Sequence, residues 1–157
     1  MLLLSTRAGL RSKEISGLSW TDIDFDEDVL RLTDTKGGRH RTVPMHSTLK
    51  DVLQRLEKAR RRADAVFTNT QAKPGERLSA NAVAVWFKAF YQKRLGWPRY
   101  SSHSGRRTMI TNAARKASLA GCSLKDVQQL AGHTRAETTA LYIEHNPDGQ
   151  KKLIGLI

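Results

Sequence analysis

Leu130-Ala131-Gly132-His133-Thr134-Arg135-Ala136-Glu137-Thr138-Thr139-Ala140-Leu141-Tyr142 is the stretch on which the reading of this chain turns. A small-residue turn presents His133, and a short polar run leads, nine residues on, to a single tyrosine. Phenols are poor nucleophiles at neutral pH because they titrate near ~10. A phenol used that way needs a transition state that many positive groups can stabilise. The rest of the chain holds such groups in surplus. Lys and Arg number 27 against 15 Asp and Glu, for a net charge of +12, and the pI is near 10.4. That balance points to a polyanion, nucleic acid first. Charge alone suits a ribosome-associated protein equally well, so it names a partner class and no reaction.

The 157 residues suffice for one domain with a real core, and with 39% hydrophobic residues the chain should fold. The single cysteine, Cys122, cannot close an internal disulfide, and no Cys/His spacing suits zinc or another metal. The first apolar run, Met1-Leu2-Leu3-Leu4, is too short for a membrane span or a signal segment. A soluble protein of a reducing, cytoplasmic compartment is the expectation.

The pattern along the chain predicts a mainly α fold with a small three-stranded antiparallel sheet. Met1 to Ala8 reads as the last turns of a buried helix stopped by Gly9, so residues 1–157 read as a single domain beginning mid-helix. Ser12 can cap a short second helix carrying Ile15 and Leu18, and Trp20 to Phe25 reads as a turn. Val29 to Leu32 and Arg41 to Pro44 are predicted strands of a hairpin whose tip holds Lys36-Gly37-Gly38. Ala65 to Thr68 is the predicted third strand. Between them, Ser47 is the expected cap of a helix with Leu49, Val52, Leu53 and Leu56 on one face. Ser79 is expected to cap a helix with Val83, Trp86, Phe87 and Phe90 on one side, ended by Gly96-Trp97-Pro98. His103 to Arg107 opens another, with Met109, Ile110, Ala113, Ala114 and Ala117 facing inward. Ser123 to Asp126 resembles a capping box.

Five segments in order now carry a resemblance: Ala8-Gly9-Leu10-Arg11-Ser12-Lys13-Glu14-Ile15, Lys36 in its glycine-rich hairpin, His103-x-x-Arg106, Ala131-Gly132-His133, and Tyr142. Together they resemble the catalytic domain of the tyrosine recombinases, the phage integrase family. The resemblance implies that Tyr142 attacks a scissile phosphate of double-stranded DNA, leaving a 3′-phosphotyrosyl bond and a free 5′-hydroxyl. It implies that Arg11 and Arg106 clamp the non-bridging oxygens and that Lys36 protonates the leaving 5′-oxygen. His103 would accept a proton or hydrogen-bond at the phosphate, His133 would donate to a phosphate oxygen, and Glu14 would brace the site. Guanidinium forks fit phosphate oxygens bidentately, and donors preorganised around developing charge supply several kcal/mol each. Four or five such cations can do the work of a metal, so no cofactor is expected. The covalent link conserves the energy of the broken bond, so rejoining needs no ATP.

In the family, Gly105 stands where many members carry a bulky apolar residue. The family's N-terminal core-binding domain, which grips the opposite face of DNA, is read as absent here, so low and strongly salt-dependent affinity is expected. The partners implied are double-stranded DNA and further recombinase protomers in a synaptic tetramer, with a monomer or weak oligomer alone and no membrane.

Each residue has a plainer reading when taken singly: a surface arginine, a turn lysine, a helix-end histidine, a half-buried tyrosine. Two rival functions stay open, a non-cutting DNA-binding or regulatory domain and a topoisomerase-like nicking and relaxing enzyme. Arg39, Arg41 and Arg99 flank the proposed catalytic residues and are candidate contacts to the DNA backbone, whereas Arg60-Arg61-Arg62 reads as a solvated face. The tail Lys151 to Ile157 is expected to fold back on its own domain or to dock on a neighbouring protomer.

Overall fold

The computed structural model describes residues 1–34, 39–59, 63–69, 73, 75–142 and 154–155. These fall into two compact units, Met1–Ile110 and Thr111–Ile157.

In the first unit, helix α1 (Leu2–Arg7) ends at Ala8 and is turned by Gly9, whose φ is +63°. A side chain there would be strained, and its Cβ would lie 2.1 Å from Cε of Met109. The turn delivers Arg11 directly to the start of α2 (Ser12–Gly17). Arg11, not Ser12, occupies the N-cap, and the cap is inverted. The Glu14 carboxylate accepts from the Arg11 backbone N–H at 2.6 Å, satisfying a donor that the helix end would otherwise orphan.

A 3₁₀ turn (Trp20–Asp22) leads into β1 (Ile23–Asp24), which pairs antiparallel with β2 (Val29–Asp34); β2 pairs in turn with β3 (Arg39–Pro44). The sheet order is β1-β2-β3. The register runs from Val29 opposite Pro44 to Asp34 opposite Arg39, which puts Pro44 at a strand end. The hairpin and the three-stranded count agree with expectation, but the third strand differs. Ala65 and Thr68 make only isolated bridges, to Ser19 and Arg77. Ile23–Asp24 takes the place because the Asp24 carboxylate accepts from the backbone N–H of Asp26 and Glu27, folding the chain back on itself within a few residues.

Helix α3 (Ser47–Lys58) is capped by His46, whose Nδ1 accepts from Thr48 N–H at 3.2 Å, so the expected cap Ser47 lies one residue inside. Leu49 and Leu53 are buried as expected, whereas Leu56 is 41% exposed. Helix α4 (Ala80–Ala89) has the expected cap, with Ser79 Oγ accepting from Ala82 N–H. It continues as a π-helical turn, Phe90–Arg94. The core gathers Leu4, Leu10, Ile15, Leu30, Leu53, Val83 and Phe87, all essentially inaccessible. Each contributes about 1.5–3 kcal/mol by leaving water.

Helix α5 (Ser104–Lys116) opens in the first unit, where Gly105 lies against α1. A Cβ on Gly105 would sit 2.6 Å from Ser5 Oγ and 2.9 Å from Thr6 Cγ2. Small residues face each other at this crossing, which accounts for the glycine at this position. Ser5 Oγ is buried there without a hydrogen-bond partner among the described residues. Gly105→Ala should therefore destabilise the fold by about 1–3 kcal/mol, the usual cost of overpacking. Ser5→Ala should be neutral or stabilising, because it removes an unsatisfied hydroxyl. Denaturant titration of both variants checks the pair.

In the second unit, α6 (Leu124–Ala131) starts where Asp126 accepts from Ser123 N–H at 2.7 Å, as expected of a capping box. It buries Val127 and Ala131, and α7 (Ala136–Ala140) buries Thr139. The inward stripe expected along α5 is only partly realised, since Ala113, Ala114 and Ala117 are half-buried. No helix among the described residues is long and apolar enough to cross a membrane. Arg60-Arg61-Arg62 and, apart from Ile154 and Gly155, the tail from Lys151 lie outside the described residues.

Candidate active site

In the first unit, a single carboxylate organises two arginines. Glu14 Oε1 accepts from Arg11 Nη1 at 3.3 Å, from Arg41 Nε at 3.2 Å and from Arg41 Nη2 at 2.9 Å, while Oε2 takes the Arg11 backbone N–H. Arg41 and Glu14 are each 13% exposed at the side chain, and Arg11 is 37% exposed. In that half-dry setting, charge-assisted bonds are stronger than at an open surface. The consequence is geometric. Arg41 lies on β3, the strand leaving the hairpin, so one carboxylate ties that strand to the turn presenting Arg11.

Arg106 comes to the same segment from α5. It is 4% exposed, and its Nη1 donates to the Gly9 carbonyl at 2.5 Å. The two arginines paired on resemblance are thus both held by residues 9–14. His103 precedes α5 and is exposed; its N–H reaches Ser101 Oγ at 3.4 Å, and its carbonyl accepts from Arg107 N–H. Arg99 is exposed in the loop before it. Lys36 lies outside the described residues, and Arg39 is placed only by its backbone, opposite Asp34.

The second unit holds the remaining pair. Gly132, with φ +62°, ends α6 and turns the chain, and His133 N–H donates to the Gln128 carbonyl at 3.1 Å. Gln128 Nε2 donates back to the His133 carbonyl at 3.1 Å, so backbone position is set from both sides. The ring is set by Thr139, whose Oγ1 lies 2.9 Å from His133 Nδ1 and is carried by a fully buried residue. Helix α7 lies within the nine-residue step, and the Tyr142 ring stacks on the His133 ring, 5.9 Å between centroids at 22°.

Two features escaped the sequence reading, which named Arg41 and Glu14 but not the bond between them, and gave Thr139 no role. The bond from Arg41 to Glu14 crosses 27 positions and has no periodic signal, although a basic residue on the strand after a hairpin was a hint. Thr139 is an unremarkable threonine whose hydroxyl gains meaning only once α7 folds it beneath His133.

Glu14→Ala should lower stability by about 1.5–3 kcal/mol, because it removes the carboxylate that accepts from the Arg11 backbone and from both guanidinium groups. Urea denaturation reads this directly, and Arg41→Ala should recover part of the loss in the Glu14→Ala background. Strict additivity would deny that they are coupled.

Comparison with known proteins places this arrangement. The sequence profile of the phage integrase family matches residues 1–148, and the chain belongs to that family. It is 34% identical over 146 residues to the tyrosine recombinase XerC of Chlamydia muridarum, covering 90% of this chain and 44% of that protein. It is 29% identical over 143 residues to the tyrosine recombinase XerA of Pyrococcus horikoshii, covering 90% of this chain and 48% of that protein. The chain therefore spans about half the length of the curated relatives it matches. Among solved structures, the Tn1549 transposon integrase in complex with a circular intermediate DNA superposes with a TM-score of 0.81 at 21% identity, over 99% of this chain and 57% of that one. The crystal structure of XerA recombinase gives 0.75 at 21% identity, over 98% and 55%. At that identity the likeness is one of fold: mostly helical, with a three-stranded antiparallel sheet.

Proposed function

We propose that this chain is the catalytic domain of a site-specific DNA recombinase that breaks and rejoins strands through a phosphotyrosyl intermediate. The observation that carries the reading is the attachment of Arg11 and Arg106 to one short segment, through Glu14 and the Gly9 carbonyl. Two guanidinium groups held by the same few residues suit the non-bridging oxygens of one phosphate.

The steps balance without an external energy source. The Tyr142 oxygen bonds to phosphorus, and its proton passes to His103. The bond from phosphorus to the 5′-oxygen breaks, and Lys36 gives that oxygen a proton. Arg11, Arg106 and His133 stabilise the charge that builds on the non-bridging oxygens. Rejoining reverses the sequence with the 5′-hydroxyl of a second strand. Arg39, Arg41 and Arg99 contact the DNA backbone, while Glu14 positions Arg11 and Arg41. Residues 1–157 act as the catalytic part of an assembly of protomers on double-stranded DNA, in the cytoplasm at the nucleoid. The relatives are named tyrosine recombinases, and the Tn1549 integrase is described with circular intermediate DNA, which supports the same reading.

The test is covalent capture on a library of nicked suicide duplexes with randomised sites at low salt. An adduct resistant to denaturant supports cleavage. Duplex binding with no adduct favours a non-cutting module, and supercoil relaxation without strand exchange favours a nicking and relaxing enzyme.

A further inference from the structure

Between Glu76 and Asp126 the sequence holds ten lysines and arginines and no carboxylate. In the middle of that stretch, residues 86–100 carry six of the chain's ten aromatic side chains. The inner members, Phe87 and Tyr91, are buried. Trp97 and Tyr100 are not, at 48% and 45% exposed. Their centroids lie 5.0 Å apart, and both rest on Tyr91, at 6.4 and 5.6 Å.

The loop that holds them is built by backbone bonds. Trp97 N–H donates to the Tyr91 carbonyl at 2.9 Å, Tyr100 N–H to the Trp97 carbonyl at 3.2 Å, and Gln92 Nε2 to the Pro98 carbonyl at 3.1 Å. Lys93, Arg94 and Arg99 belong to the same short stretch of chain and are exposed. Among the described residues, no carboxylate pairs with any of the three. The same loop runs straight into His103 through the bonds between Ser101 and Ser104.

An apolar protein partner on these rings would also have to neutralise three cations. A nucleotide supplies both needs at once, a π face for the rings and a phosphate for the charges. We propose that Trp97 and Tyr100 form a stacking platform for an unpaired nucleobase of a DNA strand, with Lys93, Arg94 and Arg99 on the flanking phosphates. The proposal deepens the recombinase reading and rests on it, because a strand freed at a break must unpair before it can be joined elsewhere.

The test compares an oligothymidylate of about twelve nucleotides with an abasic strand of equal length and charge, within the usual reach of such sites. Wild type should bind the strand with bases on the order of tenfold to a hundredfold tighter. Trp97→Ala with Tyr100→Ala should erase that preference and leave affinity for the abasic strand unchanged. Trp97→Phe with Tyr100→Phe keeps the faces and should retain the preference, which guards against a merely misfolded loop. Equal wild-type affinity for both strands overturns the proposal, as does a preference that survives in the alanine pair. Loss of a wild-type dimer in the alanine pair, with base preference unmoved, also overturns it and assigns the patch to a second copy. Covalent capture on the same preparations separates the two readings: an adduct without base preference sinks the platform alone, and base preference without an adduct supports the platform and sinks cleavage alone.

Discussion

Arg106→Ala is expected to lower the rate of covalent adduct formation by a factor on the order of 10²–10³, the size of loss that follows removal of one transition-state donor. The guanidinium acts twice in this account, once toward the phosphate and once toward the fold. Its Nη1 satisfies the Gly9 carbonyl, two residues before Arg11, from a position only 4% exposed. Truncation leaves that carbonyl without this donor, so stability should also fall, by about 1.5–3 kcal/mol for a charge-assisted bond. Arg106→Lys separates the two roles. A lysine keeps the charge but is a point donor rather than a planar fork, and cannot serve carbonyl and phosphate together. It should recover most of the stability and little of the rate. Thermal melts and single-turnover capture on the same samples make the comparison. A rate within tenfold of wild type for the alanine variant would remove Arg106 from the chemistry.

Tyr142→Phe should abolish the adduct while leaving the protein otherwise intact. The ring that lies on His133 at 5.9 Å is retained, and only the oxygen is lost. Removing a covalent nucleophile costs on the order of 10⁶ in rate in a comparable case, which takes the product below detection. Affinity for duplex DNA should stay within about twofold, because one hydroxyl adds little to a salt-dependent contact made by many cations. Residual adduct in this variant would mean that another side chain is the nucleophile. Loss of duplex binding together with the adduct would mean that Tyr142 serves the interface instead.

Much of this arrangement is legible in the chain because it is encoded locally. The turn at Gly132 and the nine-residue step to Tyr142 depend on one helix ending and a second short one forming, and both are written in contiguous residues. The hairpin with Pro44 at a strand end is local as well. What the sequence conceals is non-local. Glu14 meets Arg41 only because the sheet brings β3 to the start of α2. Gly105 is required only because α5 crosses α1 at Ser5 and Thr6. The third strand was misplaced because Ala65 to Thr68 has strand-like composition, while the side chain of Asp24 decides the fold-back at Ile23. The catalytic set proposed from resemblance draws on both units, with Arg11, Arg106 and His103 in one and His133 and Tyr142 in the other. Kinetics on variants of each must therefore show that they serve a single reaction.

The most direct measurement is the identity of the residue that carries DNA after capture. The chain has three tyrosines, Tyr91, Tyr100 and Tyr142, so the assignment is decisive. Wild-type protein trapped on a nicked suicide duplex is digested with nuclease and trypsin and analysed by mass spectrometry. The expected product is a nucleotide joined through its 3′-phosphate to the peptide from Ala136 to Lys151, which contains Tyr142 and no other tyrosine. The same mass on Tyr91, on Tyr100 or on a non-tyrosine residue would contradict it.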